Sequence, residues 1–321
     1  MSAPNQSNSN PPSFLLTGIP DLEVSHVWIS IPFCITYVVA LLGNSLVLLA
    51  VVLDRNLHEP MFCFIAMLAA IDLIFSTAVV PKMLGVLWLD SREIGFGACF
   101  SQMFFTHTST AAESGVLLAM SLDRYVAICH PLRYSTVLTV PRAIGAGLLA
   151  LARGVGVMIP LMCLLTGLPY CSSRVIPHSY CEYMAVAGLA CGDTAPSHRY
   201  GLGMATLLVG TDWAFITFSY CSILRAVLRL PSHRPRLKAL GTCGSHLFII
   251  LIFYIGGLLS MYLQMFTLGL APHVQVLLAD SYLAVPPMLN PLVYGIKVKQ
   301  IQEGIRKLLG QLAGPRSSQA A

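Results

Sequence analysis

The sequence has 321 residues, of which 56% are hydrophobic and only 10% are charged, and its mean hydropathy is +0.73. A typical soluble domain is about one quarter charged, so this composition could not cover the surface of a soluble fold and instead predicts a membrane protein. The formal net charge of +5 comes without a Lys/Arg run or an RNA-binding signature, which argues against a nucleic-acid partner.

The first 27 residues lack the basic and apolar regions of a cleaved secretory signal. They are rich in Ser, Asn and Pro, a composition typical of a short disordered tail. Within them, Asn5-Gln6-Ser7 is an N-glycosylation sequon, which counts only if this end of the chain reaches the lumen. We therefore expect residues 1–27 to form an extracellular tail that is glycosylated at Asn5.

Seven segments are long and apolar enough to cross the hydrocarbon core, which takes about 20 residues of helix. They are residues 28–53, 61–84, 96–128, 143–166, 200–228, 237–268 and 274–294. The third carries His107 and Glu113, so we expect a tilted central helix that faces other protein. The seventh is the weakest, because it holds Asp280, Asn290 and several prolines. The fold class predicted is an all-α seven-transmembrane helix bundle over residues 28–295.

After the last span, residues 296–321 should form a cytoplasmic tail. Apolar residues recur along 298–312 at helical spacing, with polar residues mostly on the other side, so a short amphipathic helix should lie on the inner leaflet.

Lys and Arg accumulate on the cytoplasmic side of membrane proteins. With seven spans, fourteen of the 19 basic residues fall on that side: Arg55, Arg124, Arg133, Arg142, Arg225, Arg229, Arg234, Arg236, Lys238, Lys297, Lys299, Arg306, Lys307 and Arg316. Lys82, Arg92, Arg174 and Arg199 fall outside, and Arg153 falls within the fourth span. Six spans would leave the basic segment 297–307 outside, so the distribution predicts seven crossings with the N-terminus outside.

Polar residues inside spans are costly, and each is a functional hypothesis. Asn44, Asp72, Glu113 and Asn290 fall at comparable depth in four different spans, which predicts one shared polar site. Two carboxylates at one depth repel each other unless they share a proton or a cation. We therefore favour a conformational switch, or a sodium site at Asp72 and Glu113, over simple hydrogen bonding between helices. No other metal site is predicted.

Further polar residues fall in or at the ends of spans. Arg153 and Asp212, in the fourth and fifth spans, are expected to be packing partners. His246 suits packing or a switch better than ligand contact, and His107 could line a pocket or pack. Asp123-Arg124-Tyr125 ends the third span, where the guanidinium could exchange partners as a two-state element.

Four cysteines fall in predicted extracellular segments, where disulfides persist: Cys99, Cys171, Cys181 and Cys191. Four cysteines allow three pairings, and their spacing does not choose between them.

Motifs in four spans resemble those of rhodopsin-like G-protein-coupled receptors: Gly43-Asn44, LAAID at 68–72, Asp123-Arg124-Tyr125 and NPLVY at 290–294. Longer strings resemble olfactory receptors in particular: LHEPMF at 57–62, MSLDRYVAICHPLRY at 120–134, SY at 219–220, KALGTCGSH at 238–246 and PPMLNP at 286–291. FLLTGIP at 14–20 and HSYCE at 178–182 resemble the fish-like, class I branch. The resemblance covers nearly the whole chain, from about residue 14 to residue 309.

The resemblance implies a plasma-membrane receptor without enzymatic activity that binds a volatile odorant and activates a stimulatory olfactory-type G protein, raising cyclic AMP. It pairs Cys99 with Cys181 and Cys171 with Cys191. The ligand-binding residues that it implies are Met103, Phe104, His107, Thr108, Tyr183, Met204, Leu208, Leu258, Met261, Met265, Asp280 and Leu283. The activation residues are Asp72, Glu113, Asp123, Arg124, Tyr125, Tyr220, Tyr254, Asn290, Pro291 and Tyr294. The basic stretch 225–238 could contact the G protein or membrane lipid.

Two departures from the class I pattern stand out. Residues 261–266 read MYLQMF, without the His-Arg pair that many class I members carry there and that suits carboxylic-acid odorants. A carboxylate without a partner would be costly to desolvate, so we expect a neutral or weakly polar ligand. Gly256 stands where relatives often have proline, and Gly256-Gly257 could serve as a flexible point.

Two alternatives remain at this stage. One is a non-olfactory rhodopsin-like receptor for a small metabolite. The other is an ion channel or proton carrier, which would be expected to show internal repeats or rings of like charge that this sequence lacks.

Overall fold

A computed structural model describes residues 11–171, 173–229, 232–266 and 270–312. Its helices are α1 (His26–Leu53), α2 (Pro60–Leu89), α3 (Phe96–Cys129), α4 (Tyr134–Val137), α5 (Val140–Thr166), α6 (Tyr183–Ala187), α7 (Ala195–Leu228), α8 (His233–Phe266), α9 (Pro272–Lys297) and α10 (Lys299–Leu312). Seven of the helices described have between 26 and 34 residues, and they correspond one by one to the predicted spans. The predicted seven-helix bundle is therefore confirmed.

Helix α3 is the central member of the bundle and packs against α2, α5, α7 and α8. Six of the seven long helices in the described ranges are apolar enough to cross a membrane by length and composition, and α3 is the exception. Its polar side chains, among them Gln102, Glu113 and Ser114, are buried against neighbouring helices. The expectation of a protein-facing third helix is confirmed. The prediction that the seventh span is the least apolar is wrong, because α9 is apolar enough to cross a membrane and α3 is not.

The segment before α1 forms a strand. Strand β1 (Ser13–Leu16) pairs antiparallel with β2 (Glu93–Gly95) and parallel with β3 (Val175–Ile176), in the order β2-β1-β3. Phe14, Leu16 and Ile19 are fully buried. The predicted disordered tail is therefore wrong for residues 13–19, because this segment closes one end of the bundle, here called the sheet end. The sequon at Asn5 lies outside the described residues.

Gly18 holds the turn that connects β1 to α1. Its φ is 79°, and a Cβ at this position would lie 2.7 Å from Cε1 of His26. The Nε2 atom of His26 lies 3.2 Å from the amide nitrogen of Ile19 and 3.0 Å from its carbonyl oxygen, so this ring anchors the turn.

We predict that Gly18→Ala lowers the thermal unfolding temperature of the purified receptor. A left-handed backbone costs a residue with a side chain about 1–2 kcal/mol, and the clash with His26 adds to that. A thermal-shift assay in detergent checks this. The control is Gly97→Ala, where a Cβ would meet nothing within 4 Å; equal unfolding temperatures for the two variants would contradict the prediction.

Helix α10 confirms the predicted amphipathic helix. Its residue Ile301 is fully buried and Leu308 is 7% exposed, and the helix packs against α1. Nζ of Lys307 lies 2.8 Å from Oδ2 of Asp54, just after α1. The end of the bundle that carries α10 also carries Arg124, and it is here called the Arg124 end.

Candidate functional site

A cavity of about 270 Å³ lies between α3, α5, α7, α8 and α9, below the segment that follows β3. Six of the residues predicted to bind ligand line it: His107, Tyr183, Leu208, Leu258, Met261 and Leu283. The other lining residues are Thr106, Thr110, Ala111, Ser114, Val157, Met158, Leu161, Tyr180, Glu182, Gly201, Ala205, Val209, Phe253, Tyr254, Gly257, Ser260 and Tyr282. The wall is largely apolar with a few polar groups, as is usual for small-molecule sites.

Five of the predicted ligand residues lie away from this lining. Met103 is fully buried in the apolar cluster of the sheet end, and Phe104 packs against the same cluster. Thr108 is buried and its methyl group faces Gly154 of α5. Asp280 accepts a hydrogen bond from Oγ of Ser179 at 2.5 Å, and Met204 is also not part of the lining. The side chain of Met265 lies outside the part of the structure that is described.

Helical spacing explains which α3 residues line the cavity. His107, Thr110, Ala111 and Ser114 recur at intervals of three and four, so they share one face of α3. Met103 lies on the same face but one turn closer to the sheet end, where it is buried in the apolar cluster, whereas Thr108 points to another face, toward Gly154. This spacing is the signal that could have identified Thr110 and Ser114 from the sequence.

Tyr282 was also missed, although the sequence holds a cue to it. A Cβ at Gly257 would lie 2.9 Å from the phenol oxygen of Tyr282, and a Cβ at Gly256 would lie 3.0 Å from its ring. The glycine pair of α8 therefore provides the space that Tyr282 occupies, within a helix that runs unbroken through both positions.

Two disulfides fix the roof of the cavity, with the pairings that the resemblance implied. Cys99 is bonded to Cys181 and Cys171 to Cys191, with Cα–Cα distances of 5.5 Å and 5.9 Å. Gln102 also holds this loop, because its Oε1 accepts a hydrogen bond from the backbone amide of Cys181 at 2.9 Å. The residues on either side of Cys181 are thereby held over the cavity.

Glu182 brings a carboxyl group to this roof. Its side chain caps α6 by accepting from the amide of Ala185 at 2.7 Å, and the residue is only 5% exposed. Burial raises the pKa of the Glu182 carboxyl, and hydrogen bonds from the backbone amides of residues 183–185 oppose that shift.

A buried polar network extends from the cavity floor. Arg153 of α5 forms an ion pair with Asp212 of α7, with N–O distances of 2.7 Å and 2.9 Å. Oγ of Ser114 donates to Oδ2 of Asp212 at 2.5 Å and lies 2.8 Å from the phenol oxygen of Tyr254 on α8. Arg153 and Asp212, which were expected to be helix-packing partners, therefore join α5 to α7 as an ion pair. The ion pair is linked to Ser114 directly and to Tyr254 through Ser114, and both of these residues line the cavity.

The predicted shared polar site forms from three of its four residues. Nδ2 of Asn290 donates to Oδ2 of Asp72 at 2.9 Å and lies 3.4 Å from Oε1 of Glu113. Asn44 instead donates to the backbone carbonyls of Ala40 and Pro287. Within the described residues, Oδ1 of Asp72 and Oδ1 of Asn290 are buried without a hydrogen-bond partner.

At the Arg124 end, the guanidinium of Arg124 is paired with Asp123 of the same helix. The hydroxyl of Tyr134 donates to the other carboxylate oxygen of Asp123 at 2.8 Å. Arg124 is thus held on α3, with its side chain 16% exposed.

The other predicted activation residues make contacts of their own. The phenol oxygen of Tyr220 lies 2.7 Å from Nδ1 of His246, which joins α7 to α8. The phenol oxygen of Tyr125 lies 3.2 Å from Nε2 of His130. Tyr294 is buried, and its hydroxyl has no partner among the residues described. Pro291 lies against α1, where a Cβ at Gly43 would be 2.8 Å from it.

The sequence model of the olfactory receptor family matches residues 33–312. Human olfactory receptor 52K2 is 52% identical to this chain over 305 residues, which cover 95% of this chain and 97% of that receptor. Human olfactory receptor 52B2 is 48% identical over 305 residues, covering 95% and 94% of the two chains. Human olfactory receptor 52D1 is 48% identical over 311 residues, covering 96% and 98%.

Proposed function

The chain belongs to the olfactory receptor family, and we propose that a small volatile odorant activates it by binding in the cavity below the Cys99–Cys181 disulfide. Members of this family are odorant-sensing, multi-pass G-protein-coupled receptors and not enzymes. One observation carries the proposal: the roof of the cavity is pinned by a disulfide, and its floor includes Tyr254, which the polar network connects to α3, α5 and α7.

The activation mechanism that we propose begins at Tyr254. A ligand favours the active state only by the difference between its affinities for the two states. An odorant that contacts α8 at Leu258 and Met261 can change the packing of Tyr254 against Ser114. This change in packing then alters the contacts of Asp72, Asn290 and Tyr294, and through them the position of Arg124.

At the Arg124 end, we propose that α8 moves outward and Arg124 leaves Asp123. The cleft that opens accepts the C-terminal helix of a G-protein α subunit of the stimulatory olfactory type, which raises cyclic AMP. This requires the Arg124 end to be cytoplasmic and the sheet end to be extracellular, as the distribution of basic residues predicts. The receptor then lies in the plasma membrane with Asn5 available for glycosylation, and basic residues at the inner leaflet can contact anionic lipid.

A sodium ion between Asp72 and Glu113 is a further part of the proposal. Carboxylate and amide oxygens are suitable ligands for a hard cation, and Oδ1 of Asp72 and Oδ1 of Asn290 are buried without partners in the described ranges. A cation there would also offset the repulsion between the two carboxylates.

We propose that the odorant is not a carboxylic acid, because the described lining contains no Lys or Arg. We therefore predict no submillimolar response to short-chain carboxylic acids. A concentration series in a cyclic AMP reporter assay checks this. A submillimolar response that His107→Ala abolishes would contradict the prediction, since His107 would then be serving as an acid anchor.

The experiment that tests the function is a screen of a chemically diverse odorant panel in cells that express the full chain, an olfactory-type G protein and a cyclic AMP reporter. At least one odorant should raise cyclic AMP in a concentration-dependent way. The matched variant is Gly201→Leu, whose Cβ would make only ordinary contacts, at 3.6 Å and 3.7 Å, at the cavity wall; its side chain should fill part of the cavity and block that response while the receptor still reaches the cell surface. A receptor present at the surface that answers no member of the panel would contradict the proposal.

A further inference from the structure

We propose that the odorant carries a protonated amine, which pairs with the carboxylate of Glu182 at the roof of the cavity. This inference rests on the proposed function and narrows its ligand class, from molecules without a carboxylate to molecules with a positive charge. It also revises the neutral ligand that the sequence predicts, because the sequence alone does not place Glu182 on the cavity wall.

The charge balance of the cavity is the first argument. Glu182 supplies a carboxyl group that is 5% exposed, while the described lining contains no Lys or Arg. The ion pairs of the described residues do not include Glu182. A buried carboxylate without a counter-charge is costly, and a cationic ligand would supply the missing partner.

The role of Glu182 as a helix cap stabilises its carboxylate only in part. Its Oε2 accepts from the amide of Ala185 at the start of α6. Asn, Ser or Thr caps a helix as well as an acidic residue does, and none of them would place a charge in an apolar cavity. The backbone amides of residues 183–185 favour the charged form, but burial still raises the pKa of this carboxyl group, so a cationic ligand would add stabilisation that the cap does not supply.

The remainder of the cavity suits the rest of such a molecule. The rings of Tyr180, Tyr183 and Tyr282 line the wall, and aromatic rings attract an ammonium group. Leu258 and Leu283 offer apolar surface for a hydrocarbon chain. An aliphatic amine, whose pKa is about 10, is protonated at neutral pH and has both parts.

The test compares hexylamine, 1-hexanol and hexanoic acid on the full-length receptor in the cyclic AMP assay. We expect hexylamine to be the most potent of the three. Glu182→Gln keeps an acceptor oxygen for the α6 cap but removes the charge. It should raise the EC50 for hexylamine at least about tenfold, as expected for the loss of a charge-assisted hydrogen bond, and change that for 1-hexanol less than about threefold. The control is Glu93→Gln. The carboxylate of Glu93, on β2, accepts a hydrogen bond from Ser13, and this variant should leave the ratio of the two EC50 values unchanged.

Three results would overturn the inference. They are an unchanged EC50 for hexylamine in Glu182→Gln, an equal loss of potency for hexylamine and 1-hexanol in that variant, and a wild-type receptor for which hexanoic acid or 1-hexanol is the most potent agonist. The second would show that Glu182 only holds the loop. Each leaves the proposed odorant receptor intact, which fails only if no member of the diverse panel activates a receptor that reaches the surface.

Discussion

Replacing Asp212 with alanine should leave most of the receptor inside the cell. Asp212 is 1% exposed and is the partner of Arg153, so its removal strands a guanidinium among the helices. Breaking a buried ion pair by removing one partner costs about 3–5 kcal/mol. Such a loss is a large part of the stability of most folded proteins. Flow cytometry of unpermeabilised cells, with an epitope tag at the N-terminus, measures the surface fraction and also tests whether that terminus is outside.

Two companion variants separate stability from signalling. Asp212→Asn keeps acceptor oxygen for Ser114 but removes the charge, so its surface fraction should lie between those of wild type and Asp212→Ala. In Arg153→Met/Asp212→Leu both charges are gone, and apolar replacements of a buried pair are often neutral or stabilising. This double variant should recover surface expression yet respond weakly to odorant, because Ser114 loses the acceptor that positions it against Tyr254. Wild-type surface levels for Asp212→Ala would show that the pair contributes little.

The same network shows which contacts can be predicted from the sequence and which cannot. Arg153 and Asp212 could be recognised in advance as helix-packing residues, because charges inside neighbouring spans have few other ways to be satisfied. Ser114 and Tyr254 could not be added to that pair from the sequence. A serine hydroxyl in a helix can instead bond to a carbonyl of its own helix, as Ser121 does to Leu118.

The sheet end shows a different limit. Composition averaged over the first 27 residues indicates a disordered tail, while the burial of β1 depends on contacts with β2 and β3, far away in the chain. Only four residues form β1, too few for an alternating pattern to stand out from its Ser- and Pro-rich surroundings. Long-range pairing of so short a strand becomes visible only when the bundle brings its partners together.

Replacing Arg124 with alanine should reduce odorant-evoked cyclic AMP to the background of cells without receptor. In the structure the guanidinium is held by Asp123, and Tyr134 donates to the same carboxylate. If release of Arg124 provides the contact for the G protein, the methyl group of alanine cannot make it, and the neighbouring Tyr125 bonds to His130 instead. Because Asp123 is 1% exposed and loses its cation in this variant, surface expression should fall in part, so cyclic AMP is compared per surface receptor.

Variants that weaken the interaction of Asp123 with Arg124 should raise cyclic AMP instead of lowering it. Tyr134→Phe removes only the hydroxyl that donates to Asp123, and Asp123→Asn removes the charge that attracts Arg124. Both should raise basal cyclic AMP per surface receptor, by roughly threefold for Tyr134→Phe if the lost hydrogen bond is worth about 0.5–1 kcal/mol, and further for Asp123→Asn. Combining either change with Arg124→Ala should return the signal to background, because the released group is then absent. A concentration-dependent response in Arg124→Ala, or a basal level in Asp123→Asn below that of wild type, would mean that this ion pair does not hold the receptor inactive.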